Sequence, residues 1–170
     1  MDPLLLLARI VHVGGGVFWA GALFFTAWFL GPAMRNAGPG GGQVGTQIAN
    51  GPFPRVMPVI ALLTLLSGFY LIRVASAGFG AGYMGSGPGI GYSIGMLAAI
   101  VAFLIGITAI RPTMLKAAQV AAALQAAGDA DRTALQAQLA VLRTRATTAN
   151  LAAAVLLAVA TLTMAVARYL

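Results

Sequence analysis

Four long apolar runs separated by glycine-rich or polar stretches set the outline of the chain. The first, Leu4 to Leu30, reads LLLLARIVHVGGGVFWAGALFFTAWFL. A membrane span needs about 20 apolar residues, so this run is long enough. Gly31-Pro32 is expected to end it. The second run covers about Val56 to Ile72 and closes at Arg73, with Pro58 in the first turn, where a missing N–H costs little. The third covers about Ile90 to Ile110 and is expected to end at Arg111-Pro112. The fourth covers about Asn150 to Ala167 and runs into Arg168-Tyr169-Leu170.

The connecting stretches differ in kind. Ala33 to Pro54 is rich in glycine and proline, with one or two turns of interfacial helix expected at Gln43 to Asn50. Ala75 to Gly89 is an uncharged glycine-rich loop. Thr113 to Thr148 is alanine- and glutamine-rich and charged, and it is broken once, at Gly128-Asp129-Ala130-Asp131. Leu135, Leu139 and Leu142 fall at i, i+4 and i+7, a helical stripe expected to pack on Leu115 and Leu124 or on a partner. Asp129 or Asp131 suits a helix start and Gly128 a helix C′ position. The predicted fold is all-α. It is a polytopic membrane protein, residues 1–170 in one domain, with a four-transmembrane-helix bundle (spans about 4–30, 56–72, 90–110 and 150–167). A cytoplasmic helical hairpin, 113–148, lies between the third and fourth spans. No internal sequence repeat is visible.

Composition agrees with this. Of 170 residues, 60% are hydrophobic and 8% charged, and the mean hydropathy is +0.92. A soluble domain carries about 25% charged residues. The absence of cysteine removes disulfides, thiolate zinc sites and cysteine nucleophiles. The N-terminal run is too long for a signal peptide and lacks its basic flank. The net charge of +7 comes from ten Lys and Arg against three Asp. These basic residues sit largely at span ends, so they read as anchors rather than as a nucleic-acid surface. Four spans put the first and third loops on one side. That side holds Arg35, Arg55, Arg111, Lys116, Arg132, Arg143 and Arg145, against Arg9, Arg73 and Arg168 on the other. The excess of basic residues places the loop side in the cytoplasm and both termini in the periplasm of a bacterial inner membrane.

The candidate chemistry follows from that topology. His12, the only histidine, lies one helical turn after Arg9 and just before Gly14-Gly15-Gly16. An ionisable ring inside a span is a functional-site hypothesis by default. Arg9, Arg73 and Arg168 gather near the terminal boundary, with Tyr70, Tyr92 and Tyr169 near the same level. Met164 is expected at a depth similar to His12 and Met96 somewhat deeper. In the plainer reading, the arginines and tyrosines are interfacial anchors and His12 is bonded to a neighbouring helix. In the sharper one, His12 is a metal ligand, Met164 or Met96 completes a haem b site, and the arginines pair with acidic groups of the ligand. Copper(I) would also suit Met and His, but the seven methionines are scattered. The glycines allow close helix packing or leave room for a flat ring. Three Asp and one His assemble no hydrolytic triad, carboxylate pair or phosphate loop.

Arg9, His12, Trp19, Gly21, Pro32 and Arg35 form an R-x-x-H, W-x-G, P-x-x-R pattern. This resembles the opening helix of small bacterial membrane proteins of the copper-resistance protein D (CopD) type and of the HemJ-type protoporphyrinogen oxidases. The closing Met164-Ala165-Val166-Ala167-Arg168-Tyr169 is similar to the last span of four-helix members of that broad group. The resemblance implies a haem- or redox-associated protein with the family histidine at His12, or a role in copper transport. HemJ-type proteins also use a basic residue in a later span, and the third span here has no Lys or His. The alternative expectation is a non-catalytic accessory or scaffold subunit of a larger respiratory or photosynthetic membrane complex. Its partners would be the lipid bilayer and other subunits or further copies of itself, with no nucleic acid.

Overall fold

The computed structural model describes residues 2–170. Among the described residues 91% are helical and there is no strand. Four helices are long and apolar enough to cross a membrane: α1 (Pro3–Asn36), α3 (Phe53–Ala75), α4 (Gly87–Ala126) and α5 (Asp129–Tyr169). A shorter helix, α2 (Pro39–Asn50), lies between the first two. The chain is therefore an integral membrane protein built as an all-α four-helix bundle. Large apolar side chains such as Val17, Phe29, Leu97 and Leu162 point outward along these helices. Water would not tolerate that surface, but lipid solvates it.

Helix lengths separate span from hairpin. The 23 residues of α3 extend about 35 Å at 1.5 Å per residue, close to a hydrocarbon core of about 30 Å. The 40 residues of α4 and 41 of α5 are far longer than that. Near the start of α3 its Pro54 carbonyl accepts from the Arg111 Nε of α4 at 3.0 Å, tying the two helices together. Beyond that point α4 and α5 continue as the two arms of the hairpin. Within it Val120, Leu139 and Leu142 form a small buried cluster with Leu124 and Leu135 against it. The leucine stripe thus packs on Leu124 as expected. Val120, with Ala117 and Ala121, takes the place assigned to Leu115.

Two expected helix ends are not ends. Both α1 and α4 run straight through their proline. In α1 a wide turn, Thr26–Leu30, lets the Gly31 N–H reach back to the Thr26 carbonyl. In α4 the turn Gly106–Ile110 does the same, with the Arg111 N–H on the Gly106 carbonyl. A proline lacks an N–H, and its ring collides with the carbonyl four residues back in a regular helix. The five-residue step just before Pro32 and Pro112 gives the ring room. Glycine is required at position 31, because a Cβ there would lie 2.8 Å from the Thr26 carbonyl oxygen. A threonine hydroxyl bonds back to a carbonyl in each wide turn, Thr26 to Ala22 and Thr108 to Leu104, both at 2.7 Å.

The loops hold more helix than their glycine content suggests. All of Pro39–Asn50 is helical, not only its second half. Gly41 packs its backbone against the Met34 carbonyl, so a side chain there would collide with α1. Gly38 makes the reversal with φ of +56°. At the hairpin tip Ala127 is the C-cap of α4, so Gly128 stands at C′ as expected and is at the same time the residue before α5, but its φ of −71° is not the left-handed conformation of a glycine cap. Asp129 and Asp131 then fall inside the first turn of α5 without capping it, where their charge still favours the helix dipole.

The core is made mainly of two seams. Between α4 and α5 it is alanine: Ala98, Ala99 and Ala102 face Ala153, Ala154 and Ala160, and Ala153 and Ala154 are 0% exposed. Glycines extend this seam, since Cβ atoms at Gly91 and Gly95 would lie 2.9 Å and 2.8 Å from Ala167 and Met164. Small residues let helices approach closely in lipid, where no hydrophobic force drives them together. Between α1 and α3 the contact also uses polar groups. Trp19, Leu23, Met57 and Ala61 fill the space between the pairs.

Candidate functional site at the terminal end of the bundle

His12 faces α3. Its Nδ1 lies 2.9 Å from the Thr64 carbonyl oxygen. A carbonyl only accepts, so Nδ1 carries the proton, and in the neutral ring Nε2 keeps the lone pair. The ring rests on Gly68, where a Cβ would come within 2.6 Å of its Cε1. Three residues after His12, Gly15 receives the Thr64 hydroxyl so closely that any side chain there would displace it. That hydroxyl donates to the Ile60 carbonyl at 2.8 Å. Ser67 donates to the Leu63 carbonyl at 2.7 Å, with the Thr64 carbonyl 3.0 Å away. Two helices thus meet through a histidine, a threonine carbonyl and two bare stretches of backbone. Among the described residues no buried side-chain nitrogen or oxygen lacks a partner.

The other residues singled out by sequence are placed as follows. Met164 packs on Gly95 of α4, and a Cβ added to that glycine would stand 2.8 Å from the Met164 Cγ. Met96 is the next residue along α4 after the glycine on which Met164 packs. His12 and Met164 therefore pack on different helices, His12 on α3 and Met164 on α4. Arg168 lies over the ring of its neighbour Tyr169, 4.5 Å from the centroid, and also bonds to the Tyr169 hydroxyl. Arg9 and Arg73 are exposed, and Tyr70 and Tyr92 are half-buried. Asp2, the only acid at this end, accepts from the Leu4 N–H at 2.9 Å and so caps α1. Among the described residues no group of three or more His, Cys, Asp or Glu side chains gathers.

The glycines of α1 divide by face. Gly15 and Gly16 meet Thr64, while Cβ atoms on Gly14 and Gly21 would have nothing within 4 Å. Sequence reasoning missed Thr64 and Gly68. The signal that could have found them was a polar patch, Thr64, Ser67 and Gly68, in an otherwise apolar run. It also missed Asn150, a buried amide in α5 whose Nδ2 makes a long contact, 3.5 Å, to the Leu23 carbonyl of α1. Comparison with family models, with curated proteins and with solved structures finds no match to this chain.

Proposed function

We propose that the chain is a non-catalytic integral membrane protein, an accessory or scaffold subunit in which His12 clamps the first two spanning helices. The observation that carries this reading is the 2.9 Å bond from His12 Nδ1 to the Thr64 carbonyl over Gly68. The ring has a structural partner, and the glycine beneath it fits the imidazole closely. Arg168 is engaged by Tyr169 and Asp2 by the helix start, which is how anchoring residues behave. The count of basic residues favours a hairpin in the cytoplasm and termini in the periplasm of a bacterial inner membrane. A reporter fused at Gly128 should be active only as a cytoplasmic reporter, and activity of a periplasmic reporter there would reverse the orientation.

A second reading rests on the same bond. A metal-bound histidine commonly donates its other ring N–H to a carbonyl, and His12 does so, leaving the Nε2 lone pair for a ligand. This supports the CopD- or HemJ-like reading, with a haem- or redox-associated site at His12. A haem b held by both His12 and Met164 would need those side chains, which pack on α3 and on α4, to present Nε2 and the thioether to one ring. Absorption spectra of wild type and His12→Ala at matched concentration decide between the readings. Two identical, featureless spectra with a less stable variant are expected. A Soret band present in wild type and lost in the variant would overturn the accessory reading.

A further inference from the structure

At the hairpin end a cavity of about 300 Å³ opens between the end of α1, the start of α2 and the two hairpin arms. Arg35 from α1 and Arg143 from α5 both line it. The Arg143 guanidinium rests on the backbone of Gly42, with Nη2 2.6 Å from where a Cβ would stand. The three Asp residues of the chain are Asp2, at the opposite end, and Asp129 and Asp131. Asp131 precedes Arg143 by twelve residues on one helix, a separation of about 18 Å. Two guanidinium groups therefore share a cavity that no aspartate of this chain reaches. The start of α2, with no side-chain cap, adds the positive end of a helix dipole. Part of the wall is apolar, formed by Met34, Met114 and Leu139. Met34 and Met114 each follow by two residues a proline that a wide turn accommodates, so the same device brings both to this wall.

We propose that this cavity binds the phosphate group of an anionic phospholipid. Arginine forks pair with phosphate oxygens bidentately, and a membrane-boundary pocket that joins basic and apolar walls matches a lipid headgroup with its first chain carbons. A site for a free anion would have no use for the methionine wall. The glycines give the headgroup backbone to lie against and leave the guanidinium of Arg143 its seat on Gly42.

The test is thermal unfolding of the purified protein in neutral detergent with added phosphatidylglycerol, phosphatidylcholine or inorganic phosphate. Phosphatidylglycerol should raise the midpoint of wild type, and phosphatidylcholine should not. Arg35→Gln and Arg143→Gln should each lose most of that increment. Arg132→Gln, which removes the same charge from the hairpin arm outside the cavity, should keep it. Because the readout is the lipid-dependent increment, a variant of lower starting stability remains informative. Native mass spectrometry of the same samples should find retained phosphatidylglycerol in wild type and much less in Arg143→Gln. Equal response to both lipids, an undiminished increment in both cavity variants, or equal loss in Arg132→Gln would overturn the proposal. A shift reproduced by inorganic phosphate alone would overturn its assignment to a lipid.

Discussion

The two helix pairs of the bundle solve one problem by different means. The α4/α5 seam is nearly all alanine and glycine, with Ala102 1% exposed and Ala153 and Ala154 fully buried. It makes no use of side-chain hydrogen bonds between its helices. The α1/α3 seam brings a histidine ring onto a glycine and a threonine hydroxyl onto another. An alanine seam gains from close approach alone, summed over many small contacts. A polar seam gains from one directional bond that fixes rotation and depth. Interhelical hydrogen bonds in membranes average only about 0.6 kcal/mol. The histidine therefore specifies how α1 sits on α3 more than it holds the pair together, which is left to the packing of side chains such as Ala20, Leu23, Met57 and Ala61.

The largest effect should come from crowding the alanine seam. Ala102→Leu adds three carbons at a site with no free space. Overpacking costs typically about 1–3 kcal/mol, and the upper end, about 3 kcal/mol, is expected because the facing helix backbone lies so near. The measurement is the unfolding midpoint in mixed detergent micelles. An unchanged midpoint would mean that α4 and α5 are not packed as described.

Gly68→Ala should rank second, at about 2 kcal/mol. Its Cβ would lie 2.6 Å from His12 Cε1 and 2.8 Å from Nδ1. The ring must leave its seat, which costs both packing and the bond to Thr64. The double variant Gly68→Ala with His12→Ala should recover about half of the loss, since the clash is gone and only the cost of the missing ring remains. Failure to recover would show that Gly68 matters to α3 itself and not to the histidine.

His12→Ala alone should cost about 1 kcal/mol, the sum of a membrane hydrogen bond and the packing of a half-buried ring. The same variant reports on function through its absorption spectrum. Its small cost and the larger cost of Gly68→Ala together separate a seat built for a ring from a ring that happens to find a partner.

Much of this architecture was legible in sequence, for identifiable reasons. The four spans follow from run length and hydropathy, because lipid leaves the backbone few alternatives to helix. The hairpin follows from the leucine stripe at Leu135, Leu139 and Leu142. Helix ends were less legible. Gly31-Pro32 and Arg111-Pro112 carry the local signals of a stop, yet a wide turn one step earlier absorbs each proline. Pro39 to Gly42 reads as a flexible loop, but its glycines serve close approach to Met34 and Arg143 within a helix. The partner of His12 was not legible either. A carbonyl of α3 has no side-chain signature, and only the register between two helices decides that it is Thr64.

The smallest effect is expected at Gly14, with the opposite sign. Gly14 lies two residues beyond His12, on the face of α1 turned away from α3, and a Cβ there would meet nothing within 4 Å. Replacing glycine by alanine within a helix restricts the unfolded chain and favours the folded one by about 0.5 kcal/mol when no clash intervenes. Gly14→Ala should therefore leave the bundle slightly more stable, whereas Gly15→Ala, one residue on, should push into Thr64 and destabilise it. This pair tests how the glycine run is divided between the two roles that glycine plays in a span. Gly15 is there for contact with α3, and Gly14 has no such constraint within this chain. A destabilised Gly14→Ala would mean that something outside the chain packs against the bare face beside His12. That result would extend the polar seam beyond α1 and α3 to a further surface, and the contrast with the self-contained alanine seam would widen.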